Sequence, residues 1–300
     1  NSKTFAFFER FYTDELKENY VLVNENDEIS LGKNNLKFIM APMVHWPEVM
    51  MTYETTNNIL FSADAFGSFN ALDGNIFADE LDFNGRLLDE FRRYYVNVVG
   101  KHGANVGNVL KKISNLQISM LCPLHGPVYR QKEDIDLVVN KYKLWADYEA
   151  ETDSILLIYG SMYGHTEKVV SYVANKLAQK KVKDLKMFDV SHTDHSYIVS
   201  EMFKYKNIII ATANYNTQMY FKTENLIHEA LALNIKNKNI SLIVNYTWGG
   251  QALKKLQEAF GDEKKFKLNS NPLEIKSAFK DSDKEIVENF IESVLELRNS

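Results

Sequence analysis

Ser154-Ile155-Leu156-Leu157-Ile158-Tyr159-Gly160-Ser161-Met162-Tyr163-Gly164-His165-Thr166 is the stretch that decides the fold. Its apolar run from Ile155 to Tyr159 has no polar alternation, the pattern of a strand buried on both faces. A short hydroxyl- and glycine-bearing loop then opens a segment with helical spacing, read as a helix over 164–180. Moving outward, the spacing predicts strand 184–190, helix 195–204, strand 207–212, helix 221–234, strand 239–245, helix 250–260, a weak strand 265–268 and helix 281–298. Strict alternation of strand and helix predicts an α/β fold, a doubly wound parallel sheet with strand order 2-1-3-4-5.

In such a sheet a ligand binds beyond the carboxyl ends of the strands. After the first strand, Ser161, Met162, Tyr163, Gly164, His165 and Thr166 bring hydroxyls and free amides to a helix N-terminus, which suits a phosphate. The loop has no lysine and no Gly-x-Gly-x-x-Gly, which excludes a nucleoside triphosphate loop and argues against a dinucleotide. After the third strand come Thr212, Ala213, Asn214, Tyr215 and Asn216. After the fourth come Asn245, Tyr246, Thr247, Trp248 and Gly249. Taken singly, aromatics at a strand end more often pack than stack on a cofactor. Three such loops at three successive strand ends supply walls and edge donors for a flat heteroaromatic ring. Ring and monophosphate together describe flavin mononucleotide (FMN). A phosphoreceiver domain would need an acidic pair near the first strand, and none is there.

The first half reads differently. A helix is expected over 3–18, carrying Phe5, Phe8, Phe11 and Tyr12. Strands 28–32 and 35–41 form a hairpin, and Val49–Glu54 pairs with Asn58–Ser62. Helices follow at 85–99 and 103–115, then strand Gln117–Cys122 and helix 131–148. The acidic stretch Glu149–Asp153 is the expected linker, giving domains 1–150 and 151–300. Three motifs each place a His or Asp just after a strand: Ala41-Pro42-Met43-Val44-His45-Trp46-Pro47, Phe61-Ser62-Ala63-Asp64-Ala65-Phe66-Gly67 and Cys122-Pro123-Leu124-His125-Gly126-Pro127. His and carboxylate donors suit iron, zinc or manganese. His102, His192, His195 and His228 read as ordinary structural or surface histidines, and His192-Thr193-Asp194-His195 as a helix-capping turn.

Both halves resemble one family. The second half is similar to flavodoxin, and more closely to the flavodoxin-like domain of flavodiiron proteins. The His-Trp-Pro and Asp-Ala-Phe-Gly segments resemble the later ligand motifs of that family's αββα metallo-β-lactamase-like domain. The resemblance implies that His45 and His125 each bind one of two iron ions and that Asp64 bridges them. It also implies that the three loops of the second half hold FMN. The second loop departs from the family's Gly-Ser-Pro-Thr, reading Ala211-Thr212-Ala213-Asn214. The expected activity is reduction of dioxygen to water or of nitric oxide to nitrous oxide. Electrons would come from rubredoxin or an NADH-dependent reductase, and a head-to-tail homodimer is implied. The family's earlier cluster, His-x-Glu-x-Asp-His, matches none of the seven histidines. The sequence is therefore expected to be a C-terminal piece lacking roughly the first 100 residues of the family domain, with a decayed metal centre as the competing reading. A flavin-only electron carrier and a metallo-hydrolase with an appended flavin domain are the rival functions.

Charge and composition narrow the partners. Thirty-five Lys and Arg against 40 Asp and Glu give a net charge of −5, an unpromising balance for nucleic acid or anionic lipid. A single cysteine, Cys122, excludes an intrachain disulfide and fits a cytoplasmic setting. No apolar run approaches the ~20 residues that cross a bilayer.

Overall fold

The structure, a computed structural model, describes residues 1–12 and 20–300. Its contacts divide the chain into two compact units, Asn1–Asp147 and Tyr148–Ser300.

In the first unit, helix α1 (Ser2–Phe11) is capped by the Asn1 side chain, which accepts from the Lys3 and Thr4 amides. It ends at Phe11 because Tyr12 is extended; residues 13–18 of the expected longer helix lie outside the described residues. Strands β1 (Glu28–Ser30), β2 (Asn35–Met40), β3 (Met50–Glu54), β4 (Ile59–Phe61) and β5 (Met120–Cys122) make one sheet in that order. The pairs are antiparallel except β4 with β5. Strands β2, β4 and β5 therefore run the same way, and their outgoing loops leave from one edge. Those loops carry His45, Asp64 and His125. Helices α3 (Gly103–Ile113) and α4 (Lys132–Ala146) bury faces at three- and four-residue spacing: Val106, Val109 and Ile113 on one, Ile135, Val138, Tyr142 and Trp145 on the other.

The helix expected over 85–99 is broken. Only Leu88–Tyr94 (α2) is α-helical, between wider π turns at Phe83–Leu87 and Tyr95–Val99. Each such turn takes one more residue per hydrogen-bonded ring and rotates the faces that follow. Tyr94, Tyr95, Val96 and Val99 are consequently all buried.

The second unit holds β6 (Thr152–Tyr159), α5 (His165–Gln179), β7 (Lys186–Asp189), α6 (His195–Lys204), β8 (Tyr205–Tyr215), β9 (Gln218–Met219), α7 (Phe221–Ala232), β10 (Lys238–Tyr246), α8 (Ala252–Ala259), β11 (Phe266–Leu268), β12 (Leu273–Lys276) and α9 (Lys284–Asn299). The order β7-β6-β8-β10-β11 is the 2-1-3-4-5 arrangement, with every pair along it parallel. The fifth position is shared, since β12 pairs with β10 beyond β11. The segment 152–153 is strand rather than linker. Strand β8 runs three residues past its expected end and folds back on β9. Ile155, Leu157, Ile209 and Ile243 from the sheet pack with Val169, Val173 and Leu177 of α5 and Phe290 and Ile291 of α9 in one core cluster.

Asp194 caps α6, its carboxylate accepting from the Ser196 amide, while His192 and His195 pair separately with Asp189 and Glu229. The histidine-rich stretch is thus a capping turn.

At the opposite end of the sheet, Lys238 is buried and donates to the Phe203 carbonyl at 2.7 Å. Burial, reinforced by Lys206 and opposed by Glu149 and Glu151, lowers its pKa from 10.5 to about 7. In the unfolded chain this amine binds a proton below about pH 10.5, but in the fold only below about 7. Stability therefore falls as pH drops through that window and levels off beneath it. Lys238→Met should flatten the decline in melting temperature between pH 10 and 7. An unchanged slope in thermal melts would contradict the assignment.

Candidate functional site

The loops after β6, β8 and β10 converge at the carboxyl edge of the second sheet, where the strand order switches between the parallel neighbours β6 and β8. They line a cavity of about 360 Å³ that includes Ser161, Met162, Tyr163, His165 and Thr166 from the first loop. Ala213, Asn214, Tyr215 and Asn216 come from the second, and Asn245, Tyr246, Thr247, Trp248 and Gly249 from the third. Gly164 takes φ 79° as the N-cap of α5, and its amide donates to Ser161 Oγ at 3.0 Å. That left-handed turn leaves the first amides of α5 and the buried Thr166 at the cavity, the local geometry of an anion site. At the rim Tyr163 and Trp248 stand 84% and 75% exposed, ring surface without a covering partner in this unit.

Two polar atoms argue that the cavity is shaped for a ligand. His165 Nδ1 and Asn214 Oδ1 are buried and have no hydrogen-bond partner. Such atoms are costly unless something accepts from or donates to them. A flat ring with edge nitrogens and oxygens, bearing a phosphate, fits that donor set.

Thr212 differs from its neighbours. It is fully buried inside β8, with its hydroxyl 3.2 Å from Thr223 Oγ1, and it does not line the cavity. Thr217 and Ser277 line the cavity although sequence reading did not select them. Ser277 follows β12, and its hydroxyl donates to Thr247 Oγ1 at 2.9 Å. It was legible only through the second half of the divided fifth strand.

In the first unit, the Asp64 carboxylate lies between two imidazoles. His45 Nε2 is 3.4 Å from Oδ2, and His125 Nε2 is 3.3 Å from Oδ1. Asp64 is largely buried, whereas His45 and His125 are 31% and 55% exposed in their side chains. The Asp64 and His125 loops are tied together: Leu124 N–H donates to the Ala63 carbonyl at 2.9 Å, and Ser68 N–H to the His125 carbonyl at 3.4 Å. Among the described residues no group of three or more His, Cys, Asp or Glu side chains forms a site for one ion. The histidines face different oxygens, so the arrangement offers two separate positions, each with one imidazole and one carboxylate oxygen. That donor set suits a carboxylate shared by two ions.

Sequence reading missed Tyr94. Its ring is 5.6 Å from that of His125. Burial, and secondarily the Asp64 charge, pushes its phenol pKa well up, so Tyr94 keeps its proton. An aromatic at helical spacing reads as core, and nothing in the sequence marks this one as facing the carboxylate.

The comparisons with known proteins divide the chain the same way. Residues 1–126 match the family described as ODP family beta lactamase, and residues 157–289 match flavodoxin. The chain thus joins a β-lactamase-like (ODP) unit to a flavodoxin unit, and it is similar to flavorubredoxins and flavodiiron proteins. The anaerobic nitric oxide reductase flavorubredoxin of Aeromonas hydrophila is 33% identical over 248 residues, covering 81% of this chain and 49% of the relative. The chain thus spans about half the length of the curated relatives it matches. Among solved structures, the rubredoxin oxygen:oxidoreductase of Desulfovibrio gigas shares the fold with TM-score 0.90 and 22% identity over 100% of this chain and 73% of the other. The flavodiiron protein of Giardia intestinalis also gives TM-score 0.90, at 21% identity over 99% and 71%. The flavodoxin match implies FMN for the second unit, and the flavodiiron homologues carry a di-iron centre.

Gly160 and Gly164 separate two reasons for a glycine. A Cβ on Gly160 would lie 2.4 Å from Thr223 Oγ1 and 2.7 Å from Tyr220 Cδ1. One on Gly164 would meet nothing within 4 Å, leaving only its positive φ against it. Gly160→Ala should cost about 1–3 kcal/mol through overpacking. Gly164→Ala should cost about 1 kcal/mol through backbone strain. Denaturant titration checks the ranking, and a larger loss for Gly164→Ala would contradict it.

Proposed function

We propose that this chain is the FMN-binding and partial di-iron portion of a flavodiiron oxidoreductase that reduces dioxygen to water, nitric oxide to nitrous oxide, or both. The observation that carries this reading is the Asp64 carboxylate with a different histidine at each oxygen, joined in one chain to the three-loop cavity. When bound, FMN supplies one- and two-electron transfer, and a pair of iron ions supplies binding and reduction of the diatomic gas. The roles of the chain's own groups follow. Ser161, Gly164 and Thr166 with the first amides of α5 hold the phosphate. Asn214 and His165, each lining the cavity with a buried polar atom that has no partner within the chain, would meet polar edges of the ligand. Tyr163, Tyr215, Tyr246 and Trp248 wall the ring and exclude water from it, while Met162, Ala213, Asn216, Asn245, Thr247 and Gly249 complete the cavity.

In the first unit, His45 and His125 each present Nε2 to one position, and Asp64 presents one oxygen to each. Tyr94 holds a proton at Oη beside this group. Rubredoxin or an NADH-dependent reductase is the proposed donor, and a head-to-tail homodimer working in the cytoplasm is the proposed assembly. The single cysteine is compatible with that setting, and no described helix is long and apolar enough to cross a membrane.

A second reading, an FMN electron carrier whose first unit binds no metal, is favoured by the lack of any three-donor group among the described residues. Anaerobic loading with iron(II) and FMN separates the two. The first reading expects iron uptake that Asp64→Ala abolishes while the oxidised-flavin spectrum persists. Iron-free yellow protein would select the carrier, and a chain that takes up no FMN would defeat both. Thr166→Ala should weaken FMN binding by about 0.5–1.5 kcal/mol, the net worth of one hydrogen bond, read by flavin fluorescence titration. Unchanged affinity would remove Thr166 from the phosphate site.

A further inference from the structure

The loop that presents Asp64 has an unusual backbone. Ala63 and Phe66, one on each side of it, hold φ at 54° and 65°. That left-handed region is uncommon for non-glycine residues and is an outlier for a bulky one such as Phe66. Something must hold the loop there. Within it, Ser62 Oγ donates to the Ala65 carbonyl at 2.7 Å, and the Gly67 amide to the Asp64 carbonyl at 3.1 Å.

Phe66 itself is gripped from outside. Its amide donates to Tyr142 Oη at 2.7 Å, and Tyr129 Oη donates to its carbonyl at 3.3 Å. Both polar groups of one strained residue thus end on tyrosine hydroxyls from separate elements. Tyr142 belongs to α4. Tyr129 is fixed by reciprocal backbone bonds to Leu121 of β5. All three residues are at most 1% exposed, and the Phe66 and Tyr142 ring centroids are 4.5 Å apart. Burial keeps both phenols protonated far above neutral pH, so their hydrogen bonding does not vary over the working range.

We propose that Tyr142 and Tyr129 are positioning residues for the metal centre: through the Phe66 peptide they hold the Asp64 loop so that each carboxylate oxygen faces a different histidine. The proposal rests on reading His45, Asp64 and His125 as metal ligands. A purely structural role is the competing account, because buried tyrosines commonly satisfy a nearby peptide. Tyr53 supplies the comparison. It is a buried tyrosine of the same unit whose hydroxyl bonds Asn58 Oδ1 and the Gln117 carbonyl, each at 2.6 Å, away from the ligand loops.

The test is cobalt(II) titration of the FMN-loaded 300-residue chain, read by ligand-field absorption and chelator competition. Tyr142→Phe should weaken cobalt binding about tenfold and alter the ligand-field band, the lower end of the scale for losing a group that orients a metal ligand. Tyr129→Phe should weaken it to a smaller extent, Tyr53→Phe should not, and FMN affinity should stay constant throughout. If Tyr142→Phe does not fold, Tyr129→Phe decides the matter alone. Parental cobalt affinity in both clamp variants, or an equal loss in Tyr53→Phe, would overturn the positioning role. If Asp64→Asn binds cobalt as well as the parent, or the parent binds none, the ligand assignment has failed and this inference falls with it.

Discussion

Strands that run the same way deliver their outgoing loops to one edge, and both units depend on that constraint. In the second unit, β6, β8 and β10 are parallel neighbours, so three loops far apart in sequence meet across a cavity. In the first, two antiparallel pairings bring β2 back to the direction of β4, and β5 joins in parallel. His45, Asp64 and His125 therefore share an edge although 80 residues separate the first from the last. The same loops could not meet if one pairing changed sense.

Precision at that edge comes from the layer behind it. The Asp64 loop holds two left-handed residues, each a cost to the fold. Backbone bonds to the His125 loop and two phenol hydroxyls offset that cost in a buried setting, where leaving a peptide group unsatisfied would be expensive. At the flavodoxin-like edge the strategy is the reverse: His165 and Asn214 keep polar atoms open. One edge is satisfied by protein and positions donors; the other is left for a ligand to complete.

Much of this was legible in sequence. The apolar run before Gly160 and the alternation after it gave the parallel order, and the three polar-aromatic loops fell at its carboxyl edge. His45, Asp64 and His125 stood out because each follows a strand. The parts that were not legible share a physical cause: they depend on where a helix face points. Tyr94 and Tyr142 read as core because their spacing is that of core residues. The π turns beside α2, which set the direction of Tyr94, leave no compositional mark. Thr212 was grouped with the loop after β8, but its hydroxyl is 3.2 Å from Thr223 Oγ1, a pairing across the chain that the sequence does not display. Ser277 was passed over because Asn271 and Pro272 divide the fifth strand, hiding the short alternation of β12.

The central claim is that one carboxylate separates two metal positions. Anomalous diffraction from crystals of the FMN-loaded chain soaked anaerobically with iron(II) tests it most directly. The account predicts two resolved iron peaks, one beside each imidazole, with Asp64 between them. A single peak shared by all three side chains, or iron located elsewhere in the chain, would contradict it.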